Sequence, residues 1–359
     1  MIHRSSRNTG LCILLSQILL ATLLVQSFAQ QPKPIKPAQA PSPEQIKPAE
    51  LAPAAGVKPL QSVSTDLVTV TATVVNEKRM VVTGLTNENF ALLEGLNPLE
   101  IEYFSDEDEP ISILIVYDNS GSTESWRVLS VAESLEVFFE HSNPENEYSL
   151  MTIGDGPQLR VAPMPGPGTV AEALKQLAAE PAHGSSPIYD ACRFGLNTLG
   201  QSAYQKRVMI VITDGMDSRS QLKFDALDIL LKHSDVMVYT MAIVDPRFGG
   251  ATSMSSPGEE ELKRMAKTTG GFAMTPKDKK QLLTGWEYIA YELRHQYRIG
   301  FRPTPSGAKE AWSNISIKVT VPTPTGSKQP AEWSVRSKGG YFRPASSPDQ
   351  LGPNSPPMR

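Results

Sequence analysis

The chain is poor in cysteine, in net charge and in long apolar runs, and each shortage excludes something. Two cysteines, Cys12 and Cys192, stand among 359 residues. Cys12 falls in a segment read below as removed, so the mature chain would carry one thiol and no internal disulfide. Its stability must then come from an apolar core, which a chain of this length can bury. Cys192 has a helical setting, Asp190-Ala191-Cys192-Arg193-Phe194, and reads as a buried apolar thiol. The formal net charge is -4, which gives no reason to expect nucleic acid or an anionic membrane as a partner. The apolar run from Leu11 to Val25 is short for a membrane span, which needs about 20 residues. There is no internal repeat.

What that run does have is a basic start, Arg4 and Arg7, and small residues beyond it, Ser27-Phe28-Ala29. Residues 1–29 therefore read as a signal peptide, and the chain as exported to the periplasm, the cell surface or the medium, with no membrane span after cleavage. Cys12 lies at the start of the apolar run and is badly placed for lipid attachment. Proline, with 30 residues, collects at the two ends. Residues 30–63 read as a Pro-rich disordered linker and residues 344–359 as a disordered tail.

Between those ends the hydrophobic period changes twice. Over 64–109 it is two: Val68, Val70, Ala72 and Val74 alternate with threonines, and short strands follow near Phe90 and Ile101. Ser105 to Pro110 is acidic and reads as a solvated linker. Over 110–295 strands alternate with helices, the pattern of a doubly wound, mainly parallel sheet. Helices are expected at Trp126–His141, Val170–Ala179, Ile188–Leu199, Gln221–His233, Gly258–Thr269 and Lys280–His295. Gly154-Asp155-Gly156 reads as a hairpin turn. Over 296–343 the period returns to two, through Tyr297, Ile299 and Phe301 and then Ile315, Ile317, Val319 and Val321. Neither end segment has enough strands to stand alone. The expected fold class is an α/β domain inserted into a small all-β sandwich that the two end segments build together.

The chemistry gathers at two strand ends. The buried run Ile111–Tyr117 delivers Asp118-Asn119-Ser120-Gly121-Ser122 into a loop, and Val208–Thr213 delivers Asp214-Gly215. In open α/β sheets ligands bind outside the carboxyl ends of strands. Ser186, just before a helix that Pro187 suits, offers a further hydroxyl. Two carboxylates and three hydroxyls are oxygen ligands of the kind a hard divalent cation takes, and they exclude a soft-metal site. The expected ligands are Asp118, Ser120, Ser122, Ser186 and Asp214. Magnesium is favoured, with manganese and calcium as alternatives. Asp217 has two readings, a carboxylate that holds the loop behind the site and the start of a helix. His183, near the site, reads as a loop histidine: no paired acid is placed to orient it and no nucleophile elbow appears. Asn314-Ile315-Ser316 fits a glycosylation sequon but falls in an expected strand.

Asp118-x-Ser120-x-Ser122, Ser186 ahead of Ile-Tyr-Asp, and Thr213-Asp214-Gly215 together resemble a von Willebrand factor type A domain over residues 111–295. With Gly-Leu-Thr-x-Glu-Asn-Phe before the domain and strands after it, residues 64–343 are similar to the exported type A-related proteins abundant in acidobacteria. The resemblance implies a metal-ion-dependent adhesion site. In that family serines and a threonine approach the ion directly and the aspartates act largely through water; the threonine position here is Ser186. It also implies a protein partner whose Asp or Glu completes the cation's shell. The expected function is therefore non-enzymatic, metal-dependent protein binding of the adhesion type. The alternative is a structural or assembly subunit of an envelope complex with a dispensable or absent metal.

Overall fold

The structure, a computed structural model, describes residues 67–125, 130–243, 257–303, 311–320 and 333–343. The expected signal peptide, linker and tail lie outside the described residues, as do the start of the helix expected at Trp126 and the strand position Val321.

The chain opens on β1 (Val68–Val75), β2 (Phe90–Glu94), β3 (Asn97–Leu99) and β4 (Tyr103–Ser105). In β1 Val70, Ala72 and Val74 are buried as the alternation predicts, but Thr73, on the face it assigns to the polar residues, is buried too. The α/β part runs from β5 (Ser112–Tyr117) through α1 (Val131–His141), β6 (Glu147–Thr152), β7 (Gln158–Pro165), α2 (Gly168–Ala179) and α3 (Ile188–Gly200) to β8 (Arg207–Thr213). It continues with α4 (Phe224–His233), β9 (Val236–Ala242), α5 (Pro257–Thr269), β10 (Ala273–Met274) and α6 (Lys279–Arg294). The chain then forms β11 (Tyr297–Phe301), β12 (Ala311–Val319), β13 (Ser334–Ser337) and β14 (Gly340–Arg343).

Six strands form one mixed sheet in the order β10-β9-β8-β5-β6-β7. All its neighbours are parallel except β7, which returns antiparallel to β6. That return is the expected hairpin, with Asp155 at φ 58° and Gly156 at φ 125°. β5 is central and buried along its whole length. Its Ile113 and Ile115 pack into one core with Leu135 and Phe138 of α1, Leu174 of α2 and Trp286 of α6. Leu114 and Val116 pack into the other, with Cys192 of α3, Leu227 of α4 and Met265 of α5. A strand covered by helices on both faces needs no polar face, which is why its sequence reads as one apolar run.

Two further sheets are antiparallel and four-stranded, β13-β1-β11-β4 and β14-β12-β2-β3. Each takes strands from both ends of the chain. Val70, Ala72, Ile299 and Phe301 from the first share a core with Phe90, Leu92, Ile315 and Ile317 from the second. β12 holds Asn314 of the sequon, whose Oδ1 accepts from Trp312 Nε1 at 2.8 Å.

The acidic stretch is not a free linker. Asp108 Oδ2 accepts from Arg294 Nε at 2.8 Å, and Glu109 pairs with Arg298. A run of like charges looks solvated until its partners are known, and these partners lie far along the chain. A second ionic cluster is centred on a fully buried carboxylate and a half-buried guanidinium. Glu292 of α6 accepts through Oε1 from Tyr239 Oη (2.7 Å, β9) and Thr73 Oγ1 (3.1 Å, β1), and through Oε2 from Arg336 of β13. One carboxylate thereby ties a helix and a strand of the α/β part to two strands of an antiparallel sheet.

Candidate metal centre

Strand register sets the first two side chains. Tyr117 of β5 lies opposite Ile212 of β8, so Asp118 and Thr213 leave the sheet side by side. Asp118 N–H donates to Ile212 O at 2.9 Å, extending the ladder by one residue. The Asp118 carboxylate is then fully buried. Its Oδ2 accepts from Thr213 Oγ1 at 2.7 Å and its Oδ1 from Ser120 N–H at 3.0 Å. Thr213 Oγ1 in turn accepts from Gly215 N–H at 3.1 Å, so a backbone donor and a hydroxyl in series fix the carboxylate's orientation.

Three hydroxyls converge above it. Ser120 Oγ and Ser186 Oγ are 2.6 Å apart, Ser186 Oγ lies 3.5 Å from Asp118 Oδ1, and Ser122 Oγ is 3.2 Å from Ser120 Oγ. Ser120 and Ser186 are buried while Ser122 is exposed, so the group deepens from a solvent-facing hydroxyl to a buried carboxylate. Asp214 is half-buried at the end of β8. Its Oδ1 accepts from Met216 N–H at 3.0 Å within its own loop, and its charge reaches Asp118. The structure thus brings Asp118, Ser120, Ser122 and Ser186 into one hydrogen-bonded group, with Asp214 beside it and joined to it through space only.

The surrounding loops are clasped together. Ser186 N–H donates to Ser218 Oγ at 2.9 Å and Ser218 N–H to Ser186 O at 2.8 Å. Asp217 Oδ1 accepts from Tyr189 N–H (3.2 Å) and Ser220 Oγ (2.6 Å). It therefore caps the first turn of α3 from a neighbouring loop, a favourable place for a carboxylate, and the helix that follows it begins only at Phe224. Asn119 joins the third loop, accepting from Gly154 N–H at 2.9 Å and, through its carbonyl, from His183 N–H at 3.0 Å. Gly184 has φ 81°, and a Cβ there would sit 2.6 Å from the Asp155 backbone nitrogen. Only glycine lets these loops close so tightly.

His183 does have an acid beside it: Asp155 Oδ2 lies 3.1 Å from its Nδ1. The hairpin turn brings Asp155 in from 28 residues away, which linear spacing did not reveal. Both side chains are more than half exposed. Among the described residues no serine, threonine or cysteine is hydrogen-bonded to the His183 ring.

The electrostatics fit a cation. Burial pushes the Asp118 carboxyl above its ordinary range; hydrogen bonds from Ser120 and Thr213 oppose this, and the Asp214 charge adds to it. Among the described residues no lysine, arginine or histidine pairs with Asp118 or Asp214. A buried carboxylate without a cationic partner is costly, and here it faces a cluster of hydroxyl oxygens and a second carboxylate. Among the described residues there is no group of three or more His, Cys, Asp or Glu side chains that could hold a metal. Any ion held here would draw on two carboxylates and on hydroxyls, a ligand set for magnesium-like ions. Asp118, Ser120, Ser122, Ser186 and Asp214 would hold it. Thr213 and Ser218, which position them, were not singled out as functional by their residue types; Thr213 stands inside the Thr-Asp-Gly run, which was the available signal.

Residues 113–216 match the von Willebrand factor type A domain family, so the chain contains such a domain, and the matched span includes all five candidate ligands. No curated protein sequence matches the chain. Among solved structures it is similar to an aerotolerance-related membrane protein from Bacteroides fragilis NCTC 9343, at 14% identity and TM-score 0.41 over 51% of this chain and 98% of that one. It is similar to a von Willebrand factor type A protein from Catenulispora acidiphila, at 11% identity and TM-score 0.42 over 79% of this chain and 74% of that one. It is also similar to the pilus adhesin SpaC from Lactobacillus rhamnosus GG, at 10% identity and TM-score 0.42 over 73% of this chain and 49% of that one. Among the described residues no helix is long and apolar enough to cross a membrane.

Proposed function

We propose that this is an exported, non-enzymatic protein-binding module that holds a divalent cation at Asp118, Ser120, Ser122, Ser186 and Asp214. Magnesium suits the oxygen ligands best, with manganese or calcium as substitutes. The bound cation would offer a coordination position to an Asp or Glu of a partner protein. The observation that carries this reading is the buried Asp118, set against Ser120 Oγ and Ser186 Oγ 2.6 Å apart, with no cationic side chain among the described residues paired to it. Exposed Ser122 opens the group to solvent, and Met216, 69% exposed beside Asp214, offers a partner an apolar contact. In the same reading residues 110–295 form the type A domain, inserted in a sandwich built by 64–109 and 296–343. The shared core of the two antiparallel sheets supports that division.

The test has two stages. Manganese binding, followed by its paramagnetic resonance signal, should saturate on the wild-type protein and vanish with Asp118→Ala. Affinity capture from envelope extract should then yield a partner with wild-type protein and magnesium, and lose it with a chelator or with Asp118→Ala. Capture that survives both would mean an assembly subunit with a dispensable metal.

A further inference from the structure

A cavity of about 430 Å³ opens at the amino ends of β8 and β9, opposite the strand ends that carry Asp118 and Asp214. Five fixed cations line it, Lys206, Arg207, Lys232, Arg298 and Lys338, against one carboxylate, Asp235. Three of the five are matched. Arg207 pairs with Asp235 at 2.7 Å, Lys232 with Asp228 at 3.0 Å, and Arg298 with Glu109. Lys206 Nζ turns away to Leu293 O at 2.5 Å; burial pushes its ammonium down to about 8, and the charges of Asp108, Glu292 and Glu109 oppose this.

Lys338 has a single carboxylate near it, Asp235, where Lys206 has three. Its Nζ donates to Ser234 O at 2.6 Å, a neutral acceptor. The carboxylate felt there, Asp235, is already held by Arg207. Burial pushes the Lys338 ammonium down to about 8. A cation taken out of water without a counter-charge is costly. An anion in the cavity would relieve that cost at Lys338. The space is within the ~300–1,000 Å³ of ordinary small-molecule sites, and a single inorganic ion would leave much of it unfilled. Phe342, stacked on His233 with ring centroids 3.6 Å apart, supplies an aromatic wall.

We propose that this cavity binds a small organic anion carrying two or more carboxylate or phosphate groups, with Lys338 as its principal ligand and Lys232 beside it. The site is separate from the candidate metal centre and does not depend on it.

The probes are citrate and pyrophosphate, titrated calorimetrically into protein stripped of divalent ions, with sodium chloride at matched ionic strength as control. Saturable binding to the wild-type protein is expected, with a rise in melting temperature. Lys338→Met should weaken binding by ~10-fold or more, and Lys338→Arg, which keeps the charge, should hold it within ~3-fold. Lys232→Gln, at the rim, should weaken it less than Lys338→Met does. Asp118→Ala should leave it unchanged. Failure of wild-type protein to bind either probe at millimolar concentration would overturn the proposal, as would unaltered binding by Lys338→Met or loss of binding in Asp118→Ala. If Lys338→Met does not fold, the wild-type, Lys338→Arg and Lys232→Gln titrations still decide.

Discussion

Among the described residues two carboxylates are wholly buried, Asp118 at the end of β5 and Glu292 on α6. They differ in what the fold supplies them. Glu292 receives a guanidinium from Arg336 and hydroxyls from Tyr239 and Thr73. Asp118 receives hydroxyls and a backbone N–H, with another carboxylate in its field and, among the described residues, no cation. A buried negative charge that is locally matched belongs to the architecture. One that is oriented with care but left unmatched points to a charge from outside. The contrast separates a structural site from a candidate functional one without reference to any relative.

The sharpest way to break the comparison is to unmatch Glu292. Arg336→Met should leave its carboxylate buried and unpaired and cost about 3–5 kcal/mol, the range for breaking a buried ion pair. Glu292→Gln should cost less, because the carboxamide can still accept from Tyr239 and Thr73. Urea unfolding midpoints at constant m-value would measure both. Near-zero changes would mean that Glu292 is no better matched than Asp118.

Asp118 should respond in the opposite sense. Its pKa is raised in the folded state, so its stabilising contribution is present below the ordinary carboxylate range and lost as pH rises through the raised value. At neutral pH the metal-free protein carries that penalty. Asp118→Asn should therefore leave the metal-free protein as stable as wild type or more so. Wild type should gain about 2.7 kcal/mol when magnesium reaches a hundred times its Kd, and the variant should gain nothing. Melting temperatures with and without magnesium would show both effects. A variant that melts well below wild type without metal would place Asp118 among the architectural residues.

A smaller effect tests the hydroxyl that aims Asp118. Thr213→Val keeps the shape and removes the donor to Oδ2. Losing such an orienting contact commonly costs 10–100-fold in metal affinity. Manganese titration should show that range, with the fold intact by circular dichroism. Unchanged affinity would mean that the register of β5 and β8 alone sets the carboxylate.

Much of this was legible in the sequence, for identifiable reasons. β5 and β8 are buried on both faces, so an unbroken apolar run marks each, and the polar residues that follow must leave the sheet at its carboxyl edge. That brought Asp118, Ser120, Ser122 and Asp214 into view, and Pro187 ahead of a helix pointed to Ser186. What escaped were pairings between distant segments. Thr213 in the run Val208–Thr213 looks like the end of a strand until register sets it beside Asp118. Glu292 in Tyr291-Glu292-Leu293 looks like a solvent-facing helix position, since its partners Arg336, Tyr239 and Thr73 come from three other elements. Asp155 read as a turn residue, and only the closing of the hairpin onto the next loop puts it against His183. Period and composition report which face a side chain takes; they do not report who waits there.

The smallest expected effect extends the comparison to a buried cation. Burial lowers Lys206 from 10.5 to about 8, and its bond to Leu293 O is to a neutral acceptor. Below about 8 the amine is charged in both folded and unfolded chains, and the folded state bears the whole penalty. Between about 8 and 10.5 the folded amine is neutral while the unfolded one keeps its proton, so stability rises with pH, by at most ~1.4 kcal/mol per pH unit. Lys338 titrates in the same window, so Lys206→Met should reduce the rise without abolishing it. Chemical denaturation at pH 7, 8, 9 and 10 on the two proteins would resolve the difference. A variant whose stability climbs as steeply as wild type would show that Lys206 is matched by Asp108, Glu109 and Glu292, and so belongs with Glu292 on the architectural side.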